Sequence, residues 1–331
     1  MDEAQRGLVA KPFRHGGPDR TMAGGNGSVD AGRARPRGAG RDGRGLMAAS
    51  RNALTIDVED YFHVSAMAPY IPRSEWDQCD CRIERNVERV LALLHRHGTH
   101  ATFFTLGWVA ERYPALVRDI VGQGHELASH GYGHQRASDL TPEAFREDIV
   151  RAKRLLEDVS GVRVMGYRAP SFSIGSENLW AFDCLAEAGY RYSSSIYPVR
   201  HDHYGMPDAP RFAHEVRAGL IEVPPTTLRL AGRNLPSSGG GFFRLLPYPV
   251  SRWMLRHVNE VDQAPAVFYF HPWEIDAEQP RVPGIDAKTR FRHYLNLHRM
   301  EGRLARLLDD FAWGRMDEVF IAPAALNRQC P

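Results

Sequence analysis

In ALTIDVED (53–60), a short, largely apolar run ends in acidic residues. Such a run is typical of a buried strand with polar residues at its carboxyl end. Further strands are predicted at 100–106, 125–128, 164–168, 190–195, 220–223 and 266–270, and helices at 84–97, 108–124, 141–159, 176–188, 250–260 and 288–309. Strands that alternate with helices predict an α/β protein with a parallel sheet, open or closed into a barrel.

Titratable residues directly follow four of these strands. Asp57-Val58-Glu59-Asp60 follows the first, HGYGH (130–134) the third, Arg168 the next, and His271 the run AVFYF (266–270). The carboxyl ends of parallel strands meet at one rim of the sheet, so these groups are expected to converge. The two glycines inside HGYGH favour a loop over a helix at that position.

Taken singly, each of these signals is weak. Most HxxxH pairs are surface or core histidines, acid clusters are usually solvated, and a lone arginine or histidine has many structural roles. Together they predict amide hydrolysis at a metal site. Two neutral imidazoles and a carboxylate suit a Zn²⁺-type ion that activates water, with a further carboxylate as base and a separate histidine as acid.

These residues resemble the polysaccharide deacetylase family, or NodB homology domain, from about Asn52 to at least His271. The family includes chitin, peptidoglycan and exopolysaccharide deacetylases. The resemblance implies a distorted (β/α) barrel with fewer than eight regular strands, and one divalent metal, expected to be Zn²⁺. It implies these roles: Asp57 as catalytic base, His130 and His134 as metal ligands, Arg168 as the partner that orients the base, Ser171 as an oxyanion-hole N–H, and His271 as general acid.

The chain departs from the family pattern at two places. The usual pair of adjacent aspartates is replaced by Asp57-Val58-Glu59-Asp60, which favours Glu59 as the carboxylate ligand and leaves Asp60 as its rival. The aromatic residue expected after the motif arginine is missing. Phe172, Tyr204 and Trp273 are the candidates to stack on the sugar, although core packing is the commoner role for any one of them.

A closer resemblance is to the deacetylases encoded beside exosortase genes, the PEP-CTERM locus type. It is carried by DVEDYFHVSAM (57–67), YPVRHDHYGMPDAPRF (197–212) and GGGFFRLLPYP (239–249). It implies a subfamily-specific C-terminal extension over about 200–331 within a deacetylase domain spanning 48–331. The implied partner is an N-acetylhexosamine unit of an exopolysaccharide or of its lipid-linked oligosaccharide precursor, with a membrane polysaccharide-synthesis complex as a further partner.

Residues 1–47 form a Gly/Arg-rich segment that predicts a disordered tail, and translation is suspected to start at Met47. The segment before Met47 carries nine basic and five acidic side chains, so the rest of this chain of net charge +2 has a net charge of −2. That balance argues against nucleic acid as a partner. Four cysteines without a CxxC pair, and no apolar signal or membrane-spanning run, predict a cytoplasmic protein, membrane-associated only through partners.

Three other functions remain open from the residues alone. An allantoinase-like or deformylating hydrolase would keep the site and change the amide. A non-catalytic carbohydrate-binding relative would keep the fold, although the presence of both Asp57 and His271 speaks against it. A nucleic-acid binder would act through the basic tail, with steep salt dependence.

Overall fold

The computed structural model describes residues 51–200 and 205–322. The predicted tail (1–47) and the candidate Tyr204 lie outside the described residues. The strands are β1 Asn52–Val58, β2 Thr102–Thr105, β3 Glu126–Ser129, β4 Gly166–Tyr167, β5 Tyr192–Ser193, β6 His214–Arg217, β7 Leu220–Glu222, β8 Thr227–Leu230, β9 Arg233–Pro236, β10 Val267–Phe270 and β11 Trp313–Gly314. The α-helices are α1 Ile83–Arg96, α2 Gly107–Arg112, α3 Pro114–Gly122, α4 Pro142–Ser160, α5 Ala181–Glu187, α6 Gly240–Leu245, α7 Tyr248–Glu260, α8 Ala287–Tyr294 and α9 Leu297–Asp310.

Nine of the strands form one sheet in the order β10-β1-β2-β3-β4-β5-β7-β6, with β11 paired to the start of β1. Every pairing in this sheet is parallel except β6 with β7, and β8 and β9 form a separate antiparallel hairpin. Strand β1 lies between β10 and β2 and is buried along its whole length, as expected for a strand covered on both faces. The residues after β1, β3, β4 and β10 therefore share one rim.

The sheet curls into a distorted barrel, which confirms the predicted fold class. The segment after β7 bridges to β10 through a single residue: the Thr226 N–H donates to the Val267 carbonyl (3.2 Å), and the Val267 N–H donates to Thr226 Oγ1 (2.6 Å). Pro224 and Pro225 precede this residue and have no N–H to continue a strand ladder. The barrel therefore has an irregular seam between β7 and β10.

Two predicted helices are split in the structure. The helix expected over 108–124 divides at Tyr113 into α2 and α3, because Pro114 cannot donate the hydrogen bond that would continue α2. The helix expected over 288–309 divides at Asn296, whose φ of 52° is left-handed. The HGYGH segment is a loop, as predicted. Among the described residues, no helix is long and apolar enough to cross a bilayer.

The apolar core lies between the sheet and its helices. Helix α1 buries Val87, Val90, Leu91 and Leu94 at helical spacing, and these side chains belong to the same cluster as the β2 residue Phe103. Burial of each such side chain stabilises the fold by about 1.5–3 kcal/mol. This packing fixes the strands whose ends carry the polar residues.

Glu126 begins β3 at the amino-terminal edge of the sheet, opposite the polar rim, and its side chain is buried. Its carboxylate accepts hydrogen bonds from the Thr102 hydroxyl (2.6 Å), the Tyr192 hydroxyl (2.8 Å) and the Asp317 N–H (3.1 Å). Asp317 follows β11, so these bonds tie the C-terminal segment to the base of the barrel. Burial, followed by the nearby Asp317 charge, raises the pKa of Glu126 to about 7.

We expect the free energy of unfolding to fall as pH rises from about 5 to about 8, by up to ~3 kcal/mol on account of Glu126. Between the ordinary glutamate pKa of 4.5 and about 7, the unfolded chain releases this proton while the folded protein retains it, so rising pH favours unfolding. Urea unfolding at both pH values, on wild type and Glu126→Gln, measures the effect. An equal decline in both proteins would show that Glu126 is not its source.

Candidate active site

The carboxylate of Glu59 meets two imidazoles at the rim of the barrel. Glu59 directly follows β1, and its N–H donates to the Asp57 carbonyl (2.8 Å), which turns the chain tightly. Its Oε1 lies 2.8 Å from His130 Nε2 and 3.0 Å from His134 Nε2. All three side chains are buried, and their ligand-type atoms are close enough together to hold one metal ion.

The two histidines present their Nε2 atoms to Glu59 from the loop after β3. His130 Nδ1 lies 2.8 Å from the Arg168 carbonyl, an acceptor, so Nδ1 donates that hydrogen bond and Nε2 is the ring nitrogen that faces Glu59. His134 has a left-handed φ of 54°, and its ring centroid lies 5.4 Å from that of His130. Burial favours the neutral form of Glu59, but the surrounding histidines outweigh it and hold its pKa well below the ordinary value.

The rival carboxylate, Asp60, is engaged elsewhere. It accepts hydrogen bonds from the N–H groups of Tyr61 (2.8 Å) and Arg82 (2.5 Å), and burial raises its pKa to about 6. Its own N–H donates to Nδ1 of His63 (2.8 Å). The candidate ligand groups found among the described residues contain Glu59 and not Asp60.

Asp57 is paired with a fully buried arginine. Arg168 Nη1 lies 2.6 Å from Asp57 Oδ1 and also donates to Thr55 Oγ1 (2.8 Å). The remaining guanidinium nitrogens donate to the carbonyl (3.2 Å) and hydroxyl (2.9 Å) of Ser194. A buried charge held by this many partners has a fixed orientation. It leaves Asp57 Oδ2 free of the guanidinium, facing His271.

His271 approaches the two carboxylates from the end of β10. Its Nε2 lies 3.9 Å from Asp57 Oδ2 and 3.8 Å from Glu59 Oε1. Its Nδ1 donates to Glu274 Oε1 (2.8 Å), and Arg244 in turn donates to Glu274 Oε2 (2.7 Å). Burial disfavours the imidazolium, but Glu59, Glu274 and Asp57 together raise the pKa of His271 to about 9.

The sequence interpretation missed Glu274 and Arg244 as part of the site. A local signal for Glu274 exists in the run HPWE (271–274), where a carboxylate three residues after a histidine can reach its ring. Arg244 comes from α6, and its contact depends on Gly240, where an added Cβ would overlap the Glu274 carboxylate. Local sequence gives no sign of that approach.

The structure describes three of the residues predicted to contact the substrate, Ser171, Phe172 and Trp273. Ser171 and Phe172 both have left-handed φ values (56° and 50°), a strained conformation for residues other than glycine. The Phe172 ring is 6% exposed and packs against Tyr197 and Tyr269. Trp273 is 4% exposed.

The Trp273 ring stacks on two imidazoles, His271 (5.5 Å between ring centroids) and His293 (4.2 Å). Contacts of this kind leave it little surface for a sugar. Trp273 therefore packs against the ring of His271, and its contact with the sugar stays a prediction.

Two solved structures of other proteins have a similar fold. A protein from Mycobacterium smegmatis described as a polysaccharide deacetylase is similar over 86% of this chain and 93% of its own, with a TM-score of 0.55 and 21% identity. Puue allantoinase is similar over 81% of this chain and 88% of its own, with a TM-score of 0.50 and 14% identity. At these identities the likeness shows the shared fold.

Two family models match adjacent parts of the sequence. The model described as polysaccharide deacetylase matches residues 75–193, and a domain of unknown function (DUF3473) matches residues 194–321. The second match begins close to the predicted start of the C-terminal extension.

The curated relatives match over a limited length. A peptidoglycan-N-acetylglucosamine deacetylase of Bacillus cereus is 31% identical over 28% of this chain and 34% of its own. A chitooligosaccharide deacetylase of Bradyrhizobium sp. is 25% identical over 40% of this chain and 58% of its own. This chain spans about a third of the length of the first of these and over half of the second. The match to the polysaccharide deacetylase model is thus confined to residues 75–193, and the likeness to these two deacetylases covers 28% and 40% of the chain.

Proposed function

We propose that this protein is a metal-dependent hydrolase that removes the N-acetyl group from amino sugars of a polysaccharide. The observation that carries the proposal is the meeting of Glu59, His130 and His134 beside the Asp57–Arg168 pair and His271. The names of the curated relatives, which include deacetylases of peptidoglycan and chitooligosaccharide, support this choice of amide.

The donor set fits a divalent ion of the Zn²⁺ type. Two imidazole nitrogens and one carboxylate oxygen are ligands that Zn²⁺ prefers, and the hydrogen bond from His130 Nδ1 to the Arg168 carbonyl leaves Nε2 available. A bound ion at Glu59, His130 and His134 would supply Lewis acidity toward the amide carbonyl and toward a water molecule.

In this proposal, Asp57 and His271 carry out the two proton transfers of the reaction. We assign Asp57 as the base, because Arg168 holds one of its oxygens and leaves the other to accept a proton. His271, held at Nδ1 by Glu274, presents Nε2 to the same space and would donate a proton to the departing amine. Ser171, three residues after Arg168 in sequence, would contribute its N–H to the oxyanion.

We further propose an exopolysaccharide, or its lipid-linked precursor, as the substrate. This narrower choice is supported by the resemblance of segments 57–67, 197–212 and 239–249 to the PEP-CTERM locus deacetylases. The match of residues 194–321 to a separate family model is consistent with a specialised extension. Association with a membrane polysaccharide-synthesis complex would follow from such a substrate.

We expect the purified protein to bind one Zn²⁺ or Co²⁺ per chain, and His130→Ala to bind it at least ~100-fold more weakly. Loss of an outer-shell partner alone costs about 10–100-fold in metal affinity, and His130 is assigned as a ligand itself. Isothermal titration measures the affinity, and His298→Ala, at an exposed histidine, is the control. Equal affinity in His130→Ala would remove His130 from the metal site.

We expect acetate release from N-acetylglucosamine oligomers to be abolished by a chelator. Asp57→Asn should lower kcat by roughly 10²–10⁴-fold, the usual contribution of a general base. Asp139→Asn, at an exposed aspartate, should have no effect. Thermal melting and metal titration of Asp57→Asn separate loss of the base from loss of folding or of the metal. Full activity in Asp57→Asn would refute its assignment.

The shared fold with an allantoinase does not fix the amide, so the substrate class needs its own test. We expect release of acetate from acetylated amino-sugar oligomers to exceed release of formate from formylated analogues and of ureide products from allantoin. The measurement is product analysis at equal enzyme and metal concentrations. Dominant formate or ureide release would replace the proposed deacetylase with a related hydrolase.

A further inference from the structure

The loop that joins the two candidate metal-binding histidines has few side chains to hold it. Gly131 and Gly133 flank Tyr132, and Gly131 has a left-handed φ of 73°. On one side, the loop carbonyls are held by the start of α2. The Gly107 N–H donates to the Gly131 carbonyl (2.9 Å), and the Trp108 N–H donates to the Tyr132 carbonyl (2.8 Å).

The N–H groups of the same loop are held from the opposite side by Asp148 on α4. Asp148 Oδ2 accepts the Tyr132 N–H at 3.0 Å, and the carboxylate also accepts the Gly133 N–H. The fit is close, since a Cβ added at Gly131 would lie 2.8 Å from Asp148 Oδ2. Glycine is therefore required there for reasons of both space and backbone conformation.

Two arginines enclose this contact. Arg151 lies over the Tyr132 ring at 3.5 Å from its centroid, and Arg73 approaches the same ring at 5.7 Å. Both interact electrostatically with Asp148, favouring its charged form against the effect of burial. A Cβ at Gly133 would overlap the Arg73 guanidinium. The loop is thus clamped by charged side chains from outside the metal site.

We propose that Asp148 is a positioning residue that sets the placement of His130 and His134 for metal binding by fixing the backbone between them. The inference rests on the proposed metal site. Asp148 does not itself approach the ligand atoms; it acts through two hydrogen bonds to the loop. Outer-shell contacts of this kind orient ligands, and their loss costs about 10–100-fold in metal affinity.

Three variants test the proposal by Co²⁺ titration, with visible absorption and Zn²⁺ competition as the readouts. Asp148→Ala removes the acceptor and should weaken Co²⁺ binding about 10–100-fold, with altered absorption bands from a changed ligand geometry. Asp148→Asn retains an acceptor oxygen and should bind Co²⁺ more nearly as wild type does. Glu147→Ala changes the exposed neighbour on α4 and should match wild type.

Urea unfolding of the metal-free proteins separates positioning from plain stability. A purely structural role would lower the stability of Asp148→Ala and leave the Co²⁺ affinity and spectrum of its folded form unchanged. If Asp148→Ala does not fold, Asp148→Glu, which moves the carboxylate by one methylene, should show the weakened binding instead.

The outcomes distinguish this inference from the function on which it rests. Failure of wild type to bind Co²⁺ or Zn²⁺ would remove the proposed metal site and this inference with it. Tight binding by wild type, with equal affinity and spectrum in the folded Asp148 variants, would overturn this inference alone.

Discussion

The arrangement of the site depends on one buried residue, Arg168, which acts through both its side chain and its backbone. Its guanidinium joins Asp57 and Thr55 on β1 to Ser194 beyond β5, and its carbonyl accepts the proton of His130 Nδ1. Removing one partner of a buried ion pair costs about 3–5 kcal/mol, because the other charge is left without compensation. The proposed base and the proposed metal site are therefore fixed relative to each other by the same residue.

A second layer holds Arg168 in turn. Glu222, fully buried on β7, accepts the N–H groups of Ser195 (2.7 Å) and Ile196 (2.8 Å). Ser195 Oγ accepts the N–H of Ala169 (2.9 Å), the residue after the arginine. Glu222 and Ser195 belong to the part of the chain that matches the domain of unknown function, whereas Arg168 belongs to the part that matches the deacetylase model. The two matched regions therefore share one hydrogen-bond network at the rim.

Much of this could be predicted from sequence because the relevant signals are local. The apolar run before Asp57 and the run 266–270 before His271 mark buried strands, and polar residues that follow parallel strands must share a rim. The loop character of HGYGH followed from its glycines. Strands β8 and β9 were missed because they form a separate, partly exposed hairpin, so no continuous apolar run marks them in the sequence.

The choice between Glu59 and Asp60, and the setting of Trp273, depended on contacts distant in sequence. The bonds that engage Asp60 come partly from Arg82, and the imidazole that covers one face of Trp273 comes from His293. Glu274, which holds His271, is itself bound by Arg244, a residue thirty positions earlier in the sequence. No periodicity or spacing rule reports such contacts.

The barrel wall is interrupted between β7 and β10, where Thr226 alone makes the connecting hydrogen bonds. Because one residue joins β7 to β10, the intervening chain leaves and rejoins the ring without breaking any strand ladder. That chain includes the β8–β9 hairpin, α6 and α7. The elements between β7 and β10 are therefore added at this interruption, and α6 among them carries Arg244 to the Glu274 carboxylate beside His271.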